Sequence, residues 1–156
     1  MKARYLYLVA LTVMLLDQAS KFAVVNRIPF GSSVPVLDRI LYFTTVRNPG
    51  GAFGLFQSWA ALLTVVTIAV CVAIMVFVRR KIAVAPLVGV ALALQLGGAV
   101  GNLIDRLRFH YVIDFIDLRV WPVFNVADSA ITIGIALLAY YLIFAERRQS
   151  SAKLKG

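Results

Sequence analysis

Long stretches of this chain carry no charge at all. Residues 82–104 contain no Asp, Glu, Lys or Arg, and neither do residues 48–78. Residues 121–145 hold a single charged side chain, Asp128, and residues 5–25 are interrupted only by Asp17 and Lys21. A helix needs about 20 apolar residues to cross the hydrocarbon core of a bilayer, so each run is long enough to span one. Composition agrees: 62% of the 156 residues are hydrophobic and mean hydropathy is +0.89, against roughly 45–50% apolar residues in a soluble domain. Such an amount of apolar surface cannot be hidden in one soluble core, and lipid is its natural solvent. The expected fold is an all-α membrane protein of four transmembrane helices, at about 5–25, 58–78, 82–104 and 123–145. All 156 residues are read as one integral membrane domain. The second helix is started late because Pro49, Gly50, Gly51 and Gly54 are poor helix formers, whereas Ser58 is a suitable N-cap. The first run resembles a signal peptide in its basic start, Lys2 and Arg4, but Asp17-Gln18-Ala19-Ser20-Lys21 is a poor cleavage site and apolar residues resume after it. An uncleaved helix is expected.

The net charge of +9 does not point to nucleic acid, because the basic residues sit at the ends of apolar runs, where they set orientation. Counts of Lys and Arg alone separate the two sides weakly, nine against seven. The acids sharpen the contrast. Lys2, Arg4, Arg79, Arg80, Lys81 and the basic residues of the tail have only Glu146 with them. Lys21, Arg27, Arg39, Arg47, Arg106, Arg108 and Arg119 share their side with all six Asp residues. Unpaired tails and a tight basic turn are the cytoplasmic pattern, so both termini and residues 79–81 are expected inside. Segments of about 27–57 and 105–122 are then expected outside. Pro29, Gly31, Ser32, Ser33 and Pro35 exclude helix there, Ile40-Leu41-Tyr42-Phe43-Thr44-Thr45-Val46 reads as a strand, and residues 111–120 have strand character. A small extended platform on the outer face is expected, with a frayed polar tail from Glu146 to Gly156.

Ionisable groups at membrane depth are costly and point to function. Asp17 lies late in the first helix, Asp105 just past the third and Asp128 early in the fourth, so antiparallel connectivity brings them to one face. Asp114 sits among Val112, Ile113, Phe115 and Ile116, where poor solvation raises a carboxyl pKa. Two carboxylates in a partly dry pocket share a proton, which activates water and protonates a leaving amine. Asn102 and Asp105 are three apart, as are Asn125 and Asp128, a repeated amide–carboxylate pattern that suggests a hydrogen-bonded site. Plainer readings stand beside these. Asp17 with Lys21 is an i,i+4 pair, Asp105 could pair with Arg106 at a helix end, Asp117 could face water, and Asp128 could favour a helix N-terminus. The single Cys71 excludes an intrachain disulfide and reads as a buried small hydrophobe. A lone His110 and the absence of HExxH argue against a zinc protease. Acids in a membrane also serve proton-coupled transport, and composition alone does not separate the two. Four spans leave little room for a transport path. A small assembly subunit is the third class, against which a working dyad would argue.

Five motifs occur in order: Asp17-Gln18-Ala19-Ser20-Lys21, Asn48-Pro49-Gly50-Gly51-Ala52-Phe53, Gly97-Gly98-Ala99-Val100-Gly101-Asn102-Leu103-Ile104-Asp105-Arg106, Val112-Ile113-Asp114-Phe115 and Phe124-Asn125-Val126-Ala127-Asp128-Ser129. Together they resemble the bacterial lipoprotein signal peptidases (signal peptidase II). The resemblance implies a cofactor-free, metal-free aspartyl endopeptidase of the bacterial cytoplasmic (inner) membrane. It implies removal of the signal peptide from diacylglyceryl-modified prolipoproteins, with cleavage just before the lipidated Cys. By resemblance the catalytic dyad is Asp114 and Asp128, and Asn48 and Arg106 hold the substrate backbone. Asp17, Lys21, Gly51, Asn102, Asp105 and Asn125 shape the site. Gly51 stands where the family usually has Ala. Membrane lipids and globomycin-type inhibitors are expected partners, nucleic acid is not, and a monomer is expected. Asp105, with Arg106 and Asn102 close by, is expected to be a structural anion rather than the partner of Asp128.

The charge pattern predicts that reporter fusions after Lys81 and after Gly156 read cytoplasm, and that one between Ser32 and Asp38 reads outside. An outside signal at Lys81 would overturn the helix count.

Overall fold

The computed structural model describes residues 1–49, 60–80 and 85–145. Gly51, Ser58, Lys81 and the tail after residue 145 lie outside them. The chain runs α1 (Ala3–Val25), β1 (Ser33–Leu37), β2 (Leu41–Asn48), α2 (Ala60–Arg79), α3 (Pro86–Phe109), β3 (Val112–Asp117) and α4 (Val126–Tyr140). A π-helical turn, Tyr141–Ala145, ends α4. Four helices among the described residues are long and apolar enough to cross a membrane: Ala3–Val25, Ala61–Arg79, Pro86–Phe109 and Val126–Phe144.

Three helix boundaries differ from the sequence expectation in ways that bear on the site. Helix α3 starts at Pro86 rather than near residue 82, because proline is suited to a first helical position, where no N–H is needed. It continues to Phe109, one turn beyond the apolar run, and His110 closes it in the left-handed conformation at φ 64°. Asp105 and Arg106 are therefore helical and not part of an outer loop. Helix α4 begins at Val126 instead of residue 123, after an N-cap at Asn125.

Helix α3 is the centre of the bundle and packs on α1, α2 and α4. Half of its membrane-length window is buried, against 11% for α2, so α2 presents most of its surface outward. Leu8, Leu11 and Leu15 on α1, Val65 and Val66 on α2, and Ile133 and Ile135 on α4 are also exposed, as a lipid-facing surface requires. Leu6 and Ala10 of α1, Cys71 and Ile74 of α2, and Ala93, Leu96 and Ala99 of α3 form one buried cluster.

Glycines set how closely α3 approaches its neighbours. A β-carbon on Gly98 would run into the carbonyl oxygen of Ala127, and one on Gly101 would lie 2.6 Å from Asp17 Oδ2. These contacts fix directions as well as distances. Met1 meets Gly89 and Asp17 meets Gly101, so α1 and α3 run in the same direction. Ala127 meets Gly98 and Gly134 meets Ala91, so α4 runs against them.

The three strands form an antiparallel sheet in the order β1-β2-β3. Val24 and Ile28 pack on Phe115, joining the end of α1 to the sheet. Strand β1 is exposed along its whole length. Strand β2 contains an irregularity: Phe43 pairs with Ile116, yet Val46 pairs with Asp114, so three steps on β2 match two on β3. Thr45 lies in this bulge, fully buried, and its hydroxyl donates to the Ile28 carbonyl at 3.1 Å.

Gly101→Ala tests the close approach. Alanine gains about 1 kcal/mol over glycine in helix propensity, but here its methyl displaces a carboxylate that is clamped from three sides. Overpacking of this kind costs about 1–3 kcal/mol. The expected result is a lower thermal unfolding midpoint in detergent; an unchanged or higher one would contradict the packing.

Candidate active site

The site is built outward from Lys21. Its ammonium group is buried and makes three contacts: Asp17 Oδ2 at 2.8 Å, Asp105 Oδ2 at 2.8 Å and Asn102 Oδ1 at 3.0 Å. An ammonium has three N–H donors, and all three are used. The i,i+4 relation of Asp17 and Lys21 is thus real, but it is half of the arrangement. Asp105 pairs with Lys21 from another helix, not with its neighbour Arg106 as the sequence allowed.

Each partner of Lys21 holds another element. Asp17 Oδ1 accepts from the Ala127 amide at 2.9 Å. That amide belongs to the first turn of α4, where N–H groups lack helical partners. Asp105 Oδ2 also accepts from the Ile113 amide of β3 at 3.1 Å, and its Oδ1 accepts from Gln18 at 3.0 Å. Gln18 donates as well to the Gly101 carbonyl at 3.1 Å. Gln18 also donates to Asp17 Oδ2 at 3.3 Å; its place beside Asp17 is the only sequence signal for this role, since its other two partners lie on another helix.

Asn125 positions both members of the candidate dyad. Its side-chain oxygen accepts from the Asp128 amide at 2.9 Å, and its Nδ2 donates to Asp114 Oδ1 at 2.6 Å. The Asp128 carboxylate returns to the Asn125 amide at 3.4 Å, completing a capping box with Asp at N3. The other Asp128 oxygen accepts from Asn102 Nδ2 at 2.8 Å. The expected amide–carboxylate pairing holds within Asn125 and Asp128. Asn102 and Asp105 do not pair with each other; both meet Lys21.

The second Asp114 oxygen accepts from Asn48 Nδ2 at 2.7 Å. This contact depends on the β2 bulge. Val46 stands opposite Asp114 and Asn48 opposite Val112, so Asn48 is a diagonal neighbour of Asp114 on one face. With the register of Phe43 and Ile116 continued, Arg47 would take that face and Asn48 would turn away. Asp114 is 1% exposed, and burial pushes its carboxyl up to about 7. The nearby Asp128 charge adds to the rise, while hydrogen bonds from Asn48 and Asn125 and the charge of Lys21 act against it.

Asp114 and Asp128 line one open cavity of about 260 Å³, together with Asn48, Asn102, Arg106 and the connecting residues Trp121, Pro122, Val123 and Phe124. Arg106 is fixed weakly, with Nη1 3.5 Å from the Thr67 hydroxyl. Asp105 is absent from the lining and lies behind it. Asp117 does not face water as the sequence allowed. It is 6% exposed and accepts from the Thr44 hydroxyl at 2.6 Å, with Arg119 3.6 Å away. Among the described residues, no group of three or more His, Cys, Asp or Glu is placed to hold a metal ion.

Comparison with known proteins decides the family. The model of the family described as signal peptidase (SPase) II matches residues 9–144. The chain belongs to the signal peptidase II family. A lipoprotein signal peptidase of Moorella thermoacetica is 44% identical over 142 residues, covering 91% of this chain and 95% of that protein. The lipoprotein signal peptidase of Bacillus velezensis is 39% identical, covering 88% and 93%. A bacterial membrane enzyme solved by the in meso method at 2.3 Å resolution superposes with a TM-score of 0.83 at 32% identity, covering 96% of this chain and 91% of that one. The chain is thus a multi-pass bacterial membrane peptidase, as the resemblance implied, with the four helices and small sheet expected from its apolar runs and strand-like segments.

Lys21→Met tests the centre of the site. It leaves Asp17 and Asp105 as unpaired buried acids, a loss of about 3–5 kcal/mol. Adding Asp105→Asn should recover part of the loss, because it removes one of the two stranded charges. Unfolding midpoints of the single and double variants measure this; a double variant less stable than Lys21→Met would refute it.

Proposed function

We propose that this chain is an aspartyl endopeptidase that removes signal peptides from diacylglyceryl-modified prolipoproteins, cleaving just before the lipidated Cys. The observation that carries the proposal is a pair of carboxyls, Asp114 and Asp128, lining one cavity and positioned by one asparagine, with Asp114 raised to about 7. A raised acid beside a carboxylate is the arrangement that serves both halves of peptide hydrolysis.

In the proposed mechanism Asp114 starts protonated and Asp128 ionised. Asp128 takes a proton from water as the water oxygen bonds to the scissile carbonyl carbon, and Asp114 gives its proton to the carbonyl oxygen. The resulting gem-diol collapses with rupture of the C–N bond. Asp128 passes its proton to the leaving amine, and the gem-diol returns one to Asp114. Arg106 and Asn48 face the same cavity and hold the substrate backbone. Asp17, Lys21, Asn102, Asp105 and Asn125 keep the acids in place, and Gly51 belongs to the supporting set.

The lipid supports recognition. Each buried methylene is worth roughly 0.8 kcal/mol, so acyl chains left in the bilayer hold the scissile bond at the sheet end of the bundle. The basic residues of the turn and the termini support a cytoplasmic location for the opposite end, with the site toward the outer face. Globomycin-type inhibitors would fill the same cavity. A monomer suffices, because one chain carries the whole constellation.

The test is single-turnover cleavage of a lipidated precursor, normalised to folded protein. Asp114→Asn and Asp128→Asn should each abolish cleavage and keep substrate binding; Asp105→Asn should lower folded yield and leave some cleavage. Substantial cleavage by Asp114→Asn, with none by a well-folded Asp105→Asn, would move the dyad to Asp105 and Asp128. The sign of the pH dependence follows from Asp114. It must hold its proton to act as acid, so kcat/KM should fall as pH rises through about 7. A flat profile up to about pH 9 would refute the acid role.

A further inference from the structure

A second hollow adjoins the first. Residues Gln95, Ala99, Asn102 and Arg106 lie along one face of α3 and floor a hollow of about 240 Å³, walled by Val66 and Val70 of α2 and Ile131 of α4. Asn102, Arg106, Asp128 and Ile131 line both hollows, so the two form one path past the dyad. Gln95 marks the end of this path farthest from the sheet.

Gln95 Nε2 is buried and has no hydrogen-bond partner among the described residues, the only buried side-chain nitrogen or oxygen of which that is true. An orphan buried donor costs about 1–3 kcal/mol, and an apolar residue would fill the position without that cost. The stem is also held in place: a β-carbon on Gly134 of α4 would lie 2.8 Å from Gln95 Cγ. A side chain that lines a groove ending at a hydrolytic site, with an amide nitrogen that has no partner among the described residues, is suited to donate to a backbone carbonyl.

We infer that Gln95 is a specificity-determining residue that donates a hydrogen bond to a main-chain carbonyl of the bound signal peptide, where its apolar helix gives way to the extended segment carrying the scissile bond. The inference rests on the proposed peptidase reading and adds to it what the groove recognises. An apolar peptide crosses lipid as a helix because its backbone groups must satisfy one another. A bond to be attacked must leave the helix. That transition strands the last four carbonyls of the helix, and in an apolar groove they need donors from the protein. Gln95 lies seven residues along α3 from Asn102, which holds Asp128. At 1.5 Å per residue the separation is about 10 Å. An extended peptide covers that distance in about three residues, a helical one in about seven. The recognised carbonyl therefore belongs three to seven residues before the scissile bond, and the preferred substrate is an apolar segment whose helix ends there.

The experiment uses the purified full chain in lipid–detergent micelles with two diacylglyceryl peptides. One keeps about two residues ahead of the scissile bond and the other about twelve, long enough to pass Gln95. Gln95→Leu and Gln95→Met, similar in volume, should raise KM for the long peptide about five- to tenfold more than for the short one, with kcat on the long peptide nearly unchanged, as expected for an interaction made equally in ground and transition states. An equal effect on both peptides, or none on either, overturns the inference while leaving the peptidase reading intact. Absence of cleavage by the unaltered protein overturns both.

Discussion

The structure depends on one buried cation. Lys21 lies in the membrane-spanning part of α1 with all three of its N–H groups engaged, by two carboxylates and an amide. None of these groups could stand alone at that depth, because an unpaired buried charge costs several kcal/mol. Each also has a second commitment. Asp17 holds the start of α4, Asp105 holds β3, and Asn102 holds Asp128. The positions of the two candidate catalytic acids thus follow from a cation that touches neither of them. Burying such a group is poor economy for stability alone; its use is to fix four elements at one point.

Around that point the amides do the aligning. Asparagine offers donor and acceptor on one short side chain, and Asn125 uses both, one toward each acid. Asp114 receives an amide on each oxygen, which works against its raised pKa, yet burial outweighs these bonds. The outcome is a carboxyl held in a fixed orientation while still able to keep a proton near neutrality. The β2 bulge contributes by turning Asn48, rather than Arg47, toward the same carboxyl. Arginine there would favour the ionised form of Asp114 and remove the acid from the pair.

Much of this was legible in the residues, for identifiable reasons. The spans follow from charge-free runs, because lipid excludes charge. Asp114 was marked by its neighbours, since a carboxyl among Val112, Ile113, Phe115 and Ile116 must be poorly solvated wherever the strand lies. Strand β2 appeared as a run of β-formers at Ile40–Val46 and is observed at Leu41–Asn48. What was hidden depends on partners distant in the chain. Strand β1 contains Pro35 and follows turn-forming residues, so nothing local announces it; it exists because β2 offers an edge. The last turn of α3 was lost because Asp105, Arg106 and Arg108 end the apolar run, although each has somewhere to go as a helical residue. The link from Lys21 to Asp105 joins residues 84 positions apart, beyond the reach of any local pattern.

The parallel course of α1 and α3 bears on how the protein enters its membrane. The first helix emerges during synthesis long before the third, and it carries two charges whose final partners do not yet exist. Asp17 and Lys21 neutralise each other across one turn, so α1 can enter lipid as a locally neutral segment and wait. Asp105 and Arg106 arrive as an adjacent pair of opposite sign. Asp128 has no such companion on its own helix, and α4 comes last, when Asn102 and the clamp around Lys21 are available to receive it. The order in which the charges occur along the chain is therefore also a workable order of insertion.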